Sequence, residues 1–145
     1  YEYTMTTDQS GSPGGSGGDN YFNNGVYRSG WSYDGRIIGI PTILNDPTIE
    51  LDDESLAIIS NRVRSHHFGI IGRYNQIRWL LKTSYTEQLG TYKLPFVPKV
   101  TIWSTGIQSW LTTIYGNFGL AAAFDLVQNG EDRFGVSVSY SYGFN

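Results

Sequence analysis

The stretch FGVSVSYSYGFN places a bulky apolar or aromatic residue at every second position: Phe134, Val136, Val138, Tyr140, Tyr142 and Phe144. Only Gly135, Ser137, Ser139, Ser141 and Gly143 stand between them. Successive side chains of a strand point to opposite faces, so a period of two separates an apolar face from a face of small polar residues. The same period recurs in six segments, and no segment carries the 3.6-residue period of a helix. The expected strands run from about Tyr1 to Thr7, from near Ser55 to Tyr74 with room for an interruption, and from Ile77 to Glu87. Three more lie within Val100 to Ile114 with room for a bulge at Gly106, from Phe118 to Val127, and from Arg133 to Phe144. On the third, Ile77, Trp79, Leu81, Thr83 and Tyr85 oppose Arg78, Leu80, Lys82, Ser84 and Thr86. On the fifth, Phe118, Leu120, Ala122, Phe124 and Leu126 oppose Gly119, Ala121, Ala123 and Asp125.

The connections between these strands alternate in length. Asn75-Gln76 and Gly116-Asn117 read as minimal hairpin turns, whereas residues 8 to 54, 88 to 99 and 128 to 132 read as longer links. A membrane β-barrel sorts its connections in this way, with short periplasmic turns and longer extracellular loops. A soluble antiparallel sheet with one wet face gives the same alternation. Loop sorting, strands of about ten residues and aromatics near the ends of the apolar face favour the barrel. The expected fold is therefore all-β, an antiparallel transmembrane β-barrel. Six strands are too few to close a bacterial barrel, and an open edge in hydrocarbon leaves backbone groups unpaired. Residues 1–145 are accordingly expected to form about six C-terminal strands of one larger barrel domain, with a long extracellular loop at about 8–54. The remaining strands would come from the parent chain, and the first and last strands here would not pair with each other.

Composition sharpens this picture. Charged residues make up 16% of the 145 residues and aromatics 15%, against about 25% charged in an average soluble domain. Such a chain suits a sheet that meets something other than water. The net charge of −3 offers no basic field for nucleic acid. Without cysteine there is neither a disulfide framework nor a thiolate metal site. No apolar run reaches the ~18 residues of a membrane helix. The opening YEYTMTT already alternates and lacks an initiator Met, as expected of a piece of a longer precursor.

Three stretches, DNYFNNGVYRSGWSYDGRIIGIP, NRVRSHHFGIIG and LKTSYTEQLGTYKLPF, together resemble the C-terminal part of the capsule-assembly Wzi family in its Bacteroidetes branch. The likeness runs from about Tyr1 to Phe144. The aromatic Phe144, followed here by Asn145, resembles the C-terminal assembly signal of outer-membrane proteins. The resemblance implies a barrel of about eighteen strands in the outer membrane of a Gram-negative bacterium. It also implies a lectin-like, non-catalytic role in holding capsular polysaccharide.

The residues that could carry such binding fall in two places. Tyr21, Trp31 and Tyr33 lie in the long loop beside Arg28 and Arg36; flat aromatic faces suit the apolar faces of sugar rings, and charged groups address their polar substituents. Arg62 and Arg64 share a strand face with His66, a ladder able to hold acidic sugars through bidentate contacts. The alternative for this ladder is a rim paired with Asp52, Asp53 and Glu54. His67 follows His66 and points the other way, so the two cannot chelate one metal together. Both histidines read first as hydrogen-bond partners of neighbouring strands near the outer barrel rim. No catalytic residue, metal or cofactor is expected. The expected partners are surface polysaccharide, outer-membrane lipid, the remaining barrel strands and other proteins of an outer-membrane complex. The rival reading is a porin or an accessory barrel of a transport or secretion complex; a third is an outer-membrane hydrolase using His66 or His67.

Overall fold

The computed structural model describes residues 1–8, 22–23, 29–46, 48, 57–128 and 130–142. Every regular element among them is a strand. Six strands form one antiparallel sheet in the order β1-β6-β7-β8-β9-β10. They are β1 (Glu2–Met5), β6 (Val63–Tyr74), β7 (Ile77–Gly90), β8 (Pro95–Thr113), β9 (Gly116–Val127) and β10 (Arg133–Ser141). The short strands β2 (Ser32–Tyr33) and β3 (Arg36–Ile37) pair with each other, as do β4 (Leu44–Asn45) and β5 (Ile58–Ser60). The sheet is open: β1 and β10 occupy its two edges and do not pair, as expected of six strands that are too few to close a barrel. No helix among the described residues is long and apolar enough to cross a membrane, which says nothing of strands.

Several boundaries differ from the sequence reading. The link between β7 and β8 covers only residues 91–94, because β8 already begins at Pro95. The second tight turn is Ile114-Tyr115, not Gly116-Asn117, since Gly116 already pairs with Thr113. The Thr113 hydroxyl builds this turn by donating to the Gly116 carbonyl (3.0 Å) and accepting from the Tyr115 N–H (3.1 Å). No bulge occurs at Gly106: Thr105, Gly106 and Ile107 face Phe124, Ala123 and Ala122 without a shift. The interruption expected in the second segment is real and separates β5 from β6 at Asn61-Arg62.

The chain forms two compact units. The first contains Tyr1–Glu2, His66–Tyr85 and Ile102–Asn145. Its sheet has two unlike faces. On one, Phe68, Ile70, Ile77, Trp103, Ile107, Phe118, Leu120, Phe124, Leu126, Phe134, Val136, Val138 and Tyr140 are all exposed, Val138 to 78%. Aromatics mark both ends of this face: Tyr74, Phe118 and Tyr140 lie near the tight turns, with Phe118 and Tyr140 rings 5.0 Å apart. At the other end Tyr1 packs on Phe68 (4.8 Å) and Tyr85 meets Trp103 edge-on (6.0 Å). Aliphatic residues fill the middle. The polar groups on this face satisfy each other: Thr83 and Thr105 hydroxyls are bonded at 2.9 Å, and the Trp103 indole donates to Thr105 (3.2 Å). Gly72 lets the Trp79 ring lie against the strand, since a Cβ there would sit 2.2 Å from Trp79 Cζ2. The opposite face of β9 and β10 carries Gly119, Ala121, Ala123 and Asp125 against Ser139, Ser137, Gly135 and Arg133.

The second unit contains Tyr3–Ser65 and Thr86–Thr101. It holds the buried core of the protein, which is small and largely polar. Ile43, Ala57, Ile58 and Val63 are buried beside Ser60, Asn61, Ser65, Thr86 and Gln88. Buried polar groups are costly unless bonded, and here four of them, Ser60, Gln88, Ser65 and Thr86, are linked across strands. Ser60 donates to Gln88 Oε1 (2.7 Å), Gln88 Nε2 donates to the Thr42 carbonyl (2.6 Å), and Ser65 and Thr86 hydroxyls bond at 2.6 Å. The Thr6 hydroxyl donates to the Asn61 carbonyl (2.6 Å) and accepts from the Val63 N–H (2.9 Å), fixing the segment after β1 beside the start of β6.

Candidate functional site

Within the second unit, β2 and β3 form a hairpin closed by Asp34-Gly35. Both turn residues have positive φ, +49° and +69°, the signature of the type I′ turn that Asp-Gly favours. Ser32 faces Ile37 and Tyr33 faces Arg36, while the Ile38 N–H donates to the Trp31 carbonyl (2.9 Å). Alternation then puts Trp31, Tyr33, Arg36 and Ile38 on one side of the hairpin and Ser32 and Ile37 on the other. The first four are exposed, Trp31 to 49% and Tyr33 to 78%, whereas Ser32 and Ile37 are half-buried.

Three anchors position this aromatic face. At its base Gly30 has φ +59°, and a Cβ there would stand 2.5 Å from the Phe22 carbonyl oxygen and 2.8 Å from Ile58 Cδ1. The Trp31 N–H donates to that same carbonyl (3.2 Å), and Asn23 Nδ2 donates to the Ile58 carbonyl (3.0 Å). At the tip, Asn45 Nδ2 on β4 donates to the Gly35 carbonyl (2.7 Å). Beyond β4, the Asp46 carboxylate accepts from the Thr48 hydroxyl (2.6 Å) and N–H (2.9 Å), and these bonds hold its pKa below the ordinary carboxylate value. The hairpin is thus a built platform with two rings, a guanidinium and an aliphatic side chain on its open side. Such a surface can stack on the apolar face of a sugar ring while Arg36 donates to its oxygens.

The sequence-predicted residues divide as follows. Trp31, Tyr33 and Arg36 come together on the hairpin. Tyr21, Arg28 and the acids Asp52, Asp53 and Glu54 lie outside the described residues. Arg62 belongs to the same unit as the hairpin, with its guanidinium 4.5 Å over the Tyr92 ring; the Tyr92 hydroxyl donates to the Thr7 carbonyl. Arg62 Nε has no hydrogen-bond partner among the described residues. Arg64 is exposed on β6. His66 and His67 belong to the other unit, where the Tyr1 hydroxyl and His66 Nδ1 are bonded at 2.8 Å, the cross-strand role open to it from sequence. Because β6 runs unbroken from Val63 to Tyr74, Arg64 and His66 share the face of Phe68 without a phase reset. Among the described residues no three His, Asp or Glu side chains gather as metal ligands. The sequence reading missed Ile38 and Tyr92 as neighbours of the candidate residues. The Asp34-Gly35 pair was the available signal for the hairpin; the Arg62–Tyr92 stack had none, since it depends on β7 ending at Gly90.

Comparison with protein-family models, with curated proteins and with solved structures finds no match to this chain.

Proposed function

We propose that the chain is the C-terminal segment of a capsule-assembly, Wzi-type outer-membrane barrel that binds surface polysaccharide without catalysis. The observation that carries the membrane half is the exposed apolar face of the first unit. Its aromatic ends flank an aliphatic middle, the arrangement of a lipid-facing band with interfacial girdles. From Ile77 to Tyr85 the strand rises about 27 Å at ~3.4 Å per residue. At the roughly 40° tilt of such barrels that is about 20 Å of height, close to the ~25 Å of an outer-membrane apolar band. A face of this size in water would be an aggregation surface. The small and polar face then lines the lumen, and further strands of the parent chain cover the edges at β1 and β10.

The Trp31–Tyr33–Arg36 platform supports the glycan half, with Arg62 of the same unit and, from the sequence reading, Tyr21 and Arg28 as the remaining proposed contacts. The tight turns Asn75-Gln76 and Ile114-Tyr115 take the periplasmic side in this reading, which puts the hairpin-bearing loop outside the cell. A porin or a transport-complex accessory barrel shares the lipid-facing sheet but has no use for the platform. The test is made on cells producing the full parent chain. The protein should fractionate with outer membranes and retain polysaccharide at the cell surface, and a Trp31→Ala/Tyr33→Ala variant should reach the membrane but shed the glycan. Recovery in a water-soluble fraction would refute the membrane half. Large open-pore conductance in planar bilayers, with glycan retention absent, would favour the porin.

A further inference from the structure

On the polar side of the first unit, beside the Asn75-Gln76 turn, an open groove of about 550 Å³ is lined by Arg73, Gln76, Arg78, Trp110 and Thr112, among others. That volume falls in the ~300–1,000 Å³ range of small-ligand clefts. Three features set it apart from the rest of the sheet. Arg73 and Arg78 flank the two-residue turn, and both are exposed. Arg78 stacks over the Trp110 ring at 5.0 Å, so an indole forms one wall beside two positive forks. The walls otherwise offer hydroxyl and amide groups from Gln76 and Thr112.

The charge arrangement needs an explanation. Two like charges next to each other on neighbouring strands are destabilising, and among the described residues no acid lines the groove. On the same side, Asp125 is opposed in register by Arg133. Among the described strand residues on that side of the first unit, Arg73, Arg78 and Lys82 are then offset only by Glu2, although the whole chain carries −3. A purely structural role accounts for part of this: Arg73 Nε donates to the Asn75 carbonyl (3.0 Å) and steadies the turn. One such bond leaves most of the five donors of each guanidinium to other partners. A planar oxyanion is the partner that two adjacent forks match best.

We infer that this groove binds an acidic saccharide, with its carboxylate or phosphate between Arg73 and Arg78 and a sugar ring against Trp110. The anion half stands on the two arginines; the saccharide half rests on the glycan-binding reading above. The groove lies at the tight-turn end of the sheet, the periplasmic side in the reading above, so the acidic saccharide it would select is one presented from that side and not the surface glycan assigned to the hairpin.

The test uses the full parent chain in detergent micelles, titrated calorimetrically with an oligogalacturonate, its carboxyl-reduced neutral counterpart, and inorganic phosphate. The acidic oligosaccharide should bind at least tenfold more tightly than the neutral one, with phosphate alone weaker than the oligogalacturonate. A folded Arg73→Gln/Arg78→Gln variant should lose the acidic preference. Trp110→Ala should weaken the oligogalacturonate about tenfold and leave phosphate unchanged. Heat-modifiable migration on gels reports folding; if the Gln variant fails it, Arg78→Lys, which keeps the charge and loses the fork, should still cut the preference several-fold. Equal affinity for acidic and neutral oligosaccharides, or an unchanged preference in a folded variant, would overturn the inference. Phosphate binding as tightly as the oligosaccharide would overturn its saccharide half. Surface glycan retention that depends on Trp31 and Tyr33, with no acidic preference at the groove, would sink this inference alone; no saccharide binding by any route would sink the glycan reading with it.

Discussion

Single residues decide whether the hairpin platform stands. Gly30 holds φ +59° with the Phe22 carbonyl and Ile58 packed where a Cβ would go. Gly30→Ala combines a left-handed backbone with a close contact, a strain of about 1–3 kcal/mol. We expect that variant to loosen the hairpin without disturbing the sheet, read as faster amide exchange confined to residues around 31–38. Gln88 acts in the core beneath. It accepts from Ser60 and donates to the Thr42 carbonyl, so Gln88→Leu takes the acceptor from the buried Ser60 hydroxyl, which still accepts from the Gly90 N–H (3.1 Å), and the donor from the half-buried Thr42 carbonyl. The expected loss is about 1–3 kcal/mol in urea unfolding of the refolded protein; a change below a few tenths of a kcal/mol would show that these bonds add nothing net.

At the scale of elements, the strands were legible because alternate side chains point to opposite faces, and the resulting period of two survives any detail of packing. Where elements begin and end was less legible. Gly116-Asn117 has the composition of a turn, yet the turn is Ile114-Tyr115, built by the Thr113 hydroxyl instead of by turn residues. Pro95 and Pro98 read as loop, yet β8 includes both. The hairpin was written in Asp34-Gly35 but lay inside a stretch too irregular to show flanking alternation. The groove had no sequence signature at all, because only the pairing of β7 with β8 brings Arg78 to Trp110. The same alternation gives a paired prediction on β10. Lys in place of Val136 puts a charge in the middle of the apolar face and should cost about 2–4 kcal/mol in a bilayer. Lys in place of Ser137, one residue on, faces the polar side and should cost far less. Equal penalties in urea unfolding from lipid vesicles would contradict the assignment of faces.

At the scale of the whole molecule, the open sheet and its exposed apolar face belong to one argument. β10 is exposed along its length, with Phe134, Val136 and Val138 on one side and only small or polar residues between. An edge strand of this kind in water invites association with other chains. In a barrel wall the next strand pairs with its backbone and lipid takes its side chains. The central claim is therefore that one face meets hydrocarbon and the other meets water. The chain has no native cysteine, so single cysteines can be placed at positions 134 to 140 and spin-labelled in the full parent chain reconstituted in lipid bilayers. Collisional accessibility to oxygen, which partitions into lipid, should peak at 134, 136 and 138. Accessibility to a water-soluble nickel chelate should peak at 135, 137 and 139. Uniform high accessibility to the chelate, or a profile with no period of two, would contradict the account.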